Sequence, residues 1–180
     1  GGVMRIDAAT RRNLELTRAL SGGRDGSLLA TIDRTATGGG ARLLEARIGA
    51  PSTDARLIRA RQAAVAWFVD APERGRTTRE ALRRVPDLER ALSRLALDRG
   101  GPRDLAVIRD GLAGAERLRT LLAGEAPEIL AEARAALAGH ETLRALLDAA
   151  LVAEPPLLTR DGGFVAAGYE PELDETRRLR

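Results

Sequence analysis

The chain contains no lysine and no cysteine, and its only aromatic residues are Trp67, Phe68, Phe164 and Tyr169. Each absence removes a class of function. Without cysteine there are no disulfides and no thiolate metal sites. Without lysine there is no P-loop, because G-x-x-x-x-G-K-[ST] needs the ammonium to reach the β- and γ-phosphates. With so few aromatics, two of them adjacent, the stacking platform expected of a single-strand binder is missing, and Trp67 and Phe68 read as core or interface residues. His140 is the only histidine, which excludes a His pair for a metal. Placed at a helix start beside Gly139, with no Ser or Asp standing out as a partner, it reads as a surface or capping residue. No apolar run approaches the ~18 residues needed to span a bilayer. No N-terminal stretch has the charged-then-apolar layout of a signal peptide, so a cytoplasmic, bacterial-type protein is the expectation.

What remains is a helical composition. The 180 residues suffice for one domain with a core, and 44% of them are hydrophobic, mostly alanine and leucine. All 29 basic residues are arginine, set against 26 acids for a net charge of +3. The sequence pI of about 10.6 therefore reflects the high pKa of arginine more than a basic groove. The expected fold is all-α, a multi-helix bundle of amphipathic helices with one small β-hairpin near the C-terminus.

The clearest local pattern is Asp87 to Leu112, DLERALSRLALDRGGPRDLAVIRDGL. Leu88, Leu92 and Leu95 fall on one helical face, and Leu105, Ile108, Leu112 and Ala115 on another. Gly100 and Gly101 suit a helix stop. Pro102 suits the first position of the next helix, and Asp104 places a negative charge in its first turn. Upstream, Met4 to Asp7 is a short extended candidate, Ser21 to Gly26 a loop, and Ser27 a cap for a helix bearing Leu28, Leu29 and Ile32. Thr35 to Gly40 reads as a flexible joint before a helix through Leu43, Leu44 and Ile48. Ser52 reads as the cap of a helix reaching about Val69, with Asp54 in its first turn. Pro72 and Gly75 read as punctuation, leaving a helix from Thr78 to Val85. Further helices are expected at Pro127 to Ala138, Glu141 to Leu151, and from about Pro171. Leu157 to Thr159 and Phe164 to Val165, separated by Arg160-Asp161-Gly162-Gly163, read as the hairpin. The opening Gly1-Gly2-Val3 and the uncapped helix at Arg180 both look like cuts within a longer protein.

Chemistry is scarce. Gly38-Gly39-Gly40 precedes a helix start carrying Arg42 and could face an anion, but three glycines specify no ligand and a turn accounts for them. The Ser21 to Ser27 loop reads the same way. Acids sit at helix starts or near arginines, as with Glu141 and Arg144 or Asp87 and Arg90, a solvated-face pattern. Arg177, Arg178 and Arg180 form an exposed cluster that could touch phosphate, without specificity. No catalytic, cofactor-binding or metal-binding residue is assigned, and none is singled out for DNA contact.

The run DLERALSRLAL followed by GGPRDLAVIRDGL resembles the core, or lever, domain of the MutS family of DNA mismatch repair proteins. There a D-L-E-R-x-L-x-R-L-A-L run leads into an R-P-R-D-L-type helix start. Three other blocks follow the family order: MRIDAATRRNLELT from Met4, SLLATIDRTATGGGARLL from Ser27, and EPPLLTRDGGFVAAGYEPELD from Glu154. Gly39 stands where the family pattern has methionine, Arg47 where it has tryptophan, and Gly100 where glycine is unusual. The resemblance implies a parent that dimerises around DNA, recognises mispaired bases, couples this to ATP and Mg in a separate ATPase domain, and works with MutL. Mismatch reading in that family uses a G-x-F-x-E motif, which this chain lacks. Residues 1–170 would be the first segment of the lever domain and 171–180 the start of the helix leading to the DNA clamp, with no cofactor held in this segment and no membrane partner. Localisation would be cytoplasmic, with nucleoid association when on DNA. Gly38, Gly39, Gly40, Gly100 and Gly101 are the candidate hinges. The competing readings are a stand-alone α-helical protein-interaction scaffold and an independent DNA-binding helical module.

Overall fold

The computed structural model describes residues Gly2 to Leu179. The readings of Gly1 as part of a cut end and of Arg180 as one of a basic trio lie outside the described residues. Among these residues the chain is helical, with strand pairing limited to the isolated antiparallel bridges Val3–Ser52 and Leu151–Val165. Packing divides it into two units: unit 1 comprises Gly1–Arg83 and Leu122–Ala133, and unit 2 comprises Arg84–Leu121 and Arg134–Arg180.

Unit 1 opens with α1 (Ala8–Asn13), whose N-cap Asp7 accepts from the Thr10 amide at 2.9 Å. Then comes α2 (Leu28–Ile32), capped by Ser27 as its sequence suggested. Ser27 is fully buried and satisfied in both directions: its hydroxyl accepts from Ala30 N at 3.1 Å and donates to the Arg24 carbonyl at 2.6 Å. That pairing lets a polar residue sit beside Leu29, itself 1% exposed. The next helix, α3 (Gly38–Gly49), begins at the first of the three glycines and not after them. The capping hydroxyl of Thr37, which accepts from Gly40 N at 3.0 Å, explains the early start.

Helix α4 (Ala55–Val69) is capped by Asp54, which accepts from the amides of Arg56 and Leu57. Ser52, the expected cap, instead accepts from Asp54 N and so braces the true cap. Helix α5 (Pro72–Arg83) starts at the proline that the sequence reading took for a break. Proline has no amide to lose at a first helical position. Gly75 lies inside α5 without steric need for a glycine, since a Cβ there would stand 3.7 Å from the Phe68 carbonyl. Trp67 and Phe68, half-buried, meet edge to face at 4.9 Å. The Arg74 guanidinium lies 3.8 Å over the indole and donates to the Trp67 carbonyl, while the indole N–H donates to the Glu125 carbonyl. Most of α8 (Glu128–Ala136) belongs to this unit.

Unit 2 is built on α6 (Leu88–Ala96), α7 (Pro102–Leu121) and α9 (Glu141–Ala150), with α7 packed against both others. Its core gathers Ala91, Ile108, Leu147 and Leu151, flanked by Leu88, Leu95, Leu105, Leu112 and Phe164. Leu92 is off this face and 54% exposed; Ala91 takes the inward place. The small residue is selected because α6 and α7 run close. A Cβ on Gly111 would fall 2.3 Å from Leu88 of α6, and one on Gly114 would fall 2.9 Å from Val85 in the segment before α6.

The C-terminal hairpin is not present. Leu158 leads into a single 3-10 turn, Thr159–Asp161, closed by Gly162 at φ +65°. Val165 pairs with Leu151 rather than with the Leu157 segment. Pro155 and Pro156 offer no backbone donors just where a hairpin strand would begin, so the partner is drawn from the end of α9. The last helix, α10 (Pro171–Arg178), starts where expected.

Candidate functional site

The glycine joints and the segments that anchor them are the candidate site, because among the described residues no cluster of catalytic or metal-ligating side chains stands out. Gly38, Gly39 and Gly40 form the first turn of α3. They follow a tight polar turn in which the Asp33 carboxylate accepts from both the amide and hydroxyl of Thr35, at 2.9 and 2.7 Å, and pairs with Arg24. The Arg34 carbonyl accepts from Arg79 of α5 at 2.7 Å, fixing the same turn from outside. A Cβ on Gly40 would press on the Thr37 hydroxyl at 3.1 Å, whereas one on Gly39 would meet only the end of Arg42 at 3.8 Å.

Those bonds set the charge state of Asp33. The Thr35 amide and hydroxyl, with Arg24 adding its charge, hold the carboxyl below the usual aspartate value. A group with a depressed folded pKa adds stability that is present above its unfolded pKa, about 4, and is lost as the pH falls through the folded value. Carboxyl-carbon NMR titration is expected to place the Asp33 midpoint below that of a free aspartate, and Asp33→Asn to flatten the acid limb of stability. A midpoint at or above 4 contradicts the assignment.

Gly100 and Gly101 sit between α6 and α7 in crowded surroundings. A Cβ on Gly100 would stand 2.5 Å from Leu95, and one on Gly101 would stand 2.6 Å from the Leu157 carbonyl oxygen. The Gly101 amide donates to Asp104 at 2.8 Å, and Asp104 also receives Arg94 Nε at 3.1 Å. The acid read from sequence as complementing the helix dipole thus also closes the helix start.

His140 is exposed and occupies the N-cap position of α9 without a side-chain capping bond. It borders a cleft with Glu116, Glu141, Arg144 and Asp148. Within it Glu116 is held by Arg119 at 2.7 Å, and its carboxyl is pulled below the usual glutamate range, chiefly by that hydrogen bond. Arg144 turns to Asp148 at 3.5 Å, so the pairing read near Glu141 runs instead one turn further along α9. Asp87 caps α6 by accepting from the Arg90 amide. Among the described residues no group of three or more His, Asp or Glu side chains is placed to hold a metal ion. None of their helices is long and apolar enough to cross a membrane.

Two features escape sequence reading. Arg109 is one arginine among many, yet its side chain is only 11% exposed. It donates to the carbonyls of Val152 at 3.0 Å and Ala153 at 2.9 Å. Arg177, read as a free surface charge, donates to the Val165 carbonyl at 3.0 Å and to Asp174 at 3.1 Å. No spacing rule reveals the ties to Val152, Ala153 and Val165, since these are main-chain carbonyls in irregular segments, whereas the Arg177–Asp174 pair has helical i,i+3 spacing.

The arrangement defines a class: a helical packing module with anchored joints, whose polar side chains are spent on caps, turns and segment ties. Its sequence matches MutS domain III over residues 9–180. The DNA mismatch repair protein MutS of Paracoccus denitrificans is 66% identical over 180 residues, which is 100% of this chain and 20% of that protein. The MutS proteins of Cereibacter sphaeroides and Ruegeria pomeroyi are each 62% identical over 180 and 179 residues, again 20% of their length. The chain belongs to the MutS domain III family and spans about a fifth of the length of these curated relatives.

Proposed function

We propose that this chain is the non-catalytic lever module of a mismatch-recognition protein, connecting an ATPase domain to a DNA clamp that both lie outside it. The supporting observation is the match to MutS domain III along nearly the whole chain, joined to a fold whose polar groups serve packing and joints. Residues 1–170 make the lever segment and 171–180 begin the helix toward the clamp. ATP and Mg are handled by the separate domain. The parent acts as a dimer on mismatched DNA, in the cytoplasm and on the nucleoid, with MutL as its repair partner. A stand-alone scaffold is not favoured, since the relatives carry this segment within a much longer protein.

A lever transmits motion through rigid elements and a few places where the chain can bend. Gly38, Gly39 and Gly40 fit the second requirement, because three glycines leave the first turn of α3 about 1 kcal/mol per residue softer than alanine would. Gly100 and Gly101 serve as the second bend. Replacing Gly38 and Gly39 with alanine in the full-length protein stiffens that turn without touching the cap. The expected result is a several-fold change in the ATP dependence of DNA release, measured by stopped-flow, with the fold intact. Unchanged coupling in a folded variant removes the hinge role.

A further inference from the structure

Among the described residues α7 packs on both α6 and α9, while α10 shares no comparable contact with any of the three. A short set of polar ties links α10 to the preceding segment. Arg177 Nη2 donates to the Val165 carbonyl at 3.0 Å, and Asp174 Oδ2 accepts from the Gly168 amide at 2.6 Å. Arg177 and Asp174 also bond each other at 3.1 Å. Val165 belongs to the bridge with Leu151, flanked by Val152 N to Phe164 O at 3.0 Å and Ala166 N to Ala150 O at 2.8 Å. On the far side of that bridge, Val152 and Ala153 present their carbonyls to Arg109 of α7.

We infer that Arg109 is a positioning residue for α10. It fixes the 152–153 segment, the bridge carries that placement to 164–166, and Arg177 with Asp174 delivers it to the helix. Val152 is the shared link, because its carbonyl takes Arg109 and its amide takes Phe164. A two-residue bridge held from both sides passes a displacement of α7 to α10. A hydrophobic contact, being non-directional, would let the helix swivel. The purpose of this relay rests on the lever reading above, since α10 is the helix assigned to the clamp. Its existence does not.

Spatial sequence alone is not coupling, so the test measures coupling directly. The whole chain is followed by amide exchange in NMR. Arg109→Lys keeps the charge and most of the stem, but a single ammonium lacks the planar fork that grips two carbonyls. The expected result is at least a threefold faster exchange at Gly168 and in α10, with α6 unchanged. Arg177→Ala alone should give the same rise, and the double variant no further increase. Wild-type rates at Gly168 and α10 in Arg109→Lys overturn the relay, as does a rise shared equally with α6, which is general loosening. Coupling is reciprocal, so the exposed far end offers a second measurement that spares the core. Asp174→Asn is expected to speed exchange of the Val152 amide about twofold, and no change there also overturns the relay. Failure of these tests leaves the lever assignment standing. Unchanged ATP coupling in the glycine variants, with the relay measured intact, removes the hinge role and keeps the relay.

Discussion

Arg109→Ala is expected to lower the unfolding free energy by about 3 kcal/mol, the largest effect of any single arginine in the chain. Hydrogen bonds from a charged donor contribute about 1.5–3 kcal/mol each, and this side chain makes two of them to carbonyls, with little water at hand. The Ala153 carbonyl belongs to an exposed residue and can recover a water, which keeps the sum below the simple total. The buried stem adds a packing loss. Arg76 is the natural control: it pairs with both Glu73 and Glu80 yet stands in solvent, where such pairs contribute little. Urea unfolding should show a clear drop in midpoint for Arg109→Ala and almost none for Arg76→Ala. Equal midpoints would mean that the two carbonyls are satisfied equally well by water.

The second large effect is expected at Gly101. Alanine there gains about 0.4–1 kcal/mol through the unfolded chain. Against this stands a Cβ placed 2.6 Å from a main-chain carbonyl oxygen, that of Leu157. A carbonyl cannot rotate aside as a side chain can, so the α6–α7 connection or the 157 segment must shift, at about 2–3 kcal/mol. The net expectation is a loss of about 2 kcal/mol. Gly111→Ala separates this mechanism from crowding in general. Its Cβ would come even closer to Leu88, but Leu88 is a side chain and alanine returns about 1 kcal/mol of helix propensity. Gly101→Ala should therefore unfold at lower urea than Gly111→Ala. The reverse order would show that the Leu157 segment yields easily.

How far the sequence revealed this molecule depended on whether the relevant signal was local. The α6–α7 hairpin could be read in advance because its stop, its proline start and its first-turn acid are adjacent in the chain. Ser27 as a cap was readable for the same reason. Pro72 misled because a proline looks the same whether it ends a helix or begins one; only the preceding segment decides. The supposed β-hairpin misled because Gly162-Gly163 does make a turn, while the partner of Val165 lies at the end of α9. The main-chain ties of Arg109 and Arg177 could not be read at all. Their meaning lies in distant carbonyls, and a carbonyl leaves no trace in a residue pattern. The candidate hinge glycines were visible as glycines, but the sequence did not distinguish the helical turn at Gly38 to Gly40 from the close approach at Gly101.

The single indole of the chain is bonded to the Glu125 carbonyl and covered by Arg74, wholly within unit 1. Intrinsic fluorescence excited at the red edge therefore observes one unit only and is blind to the other. Variants at Arg109 or Gly101 would look silent by that signal if unit 2 melted alone. Far-UV circular dichroism sees the helices of both, so a mismatch between the two optical curves becomes a direct readout of whether the units unfold together.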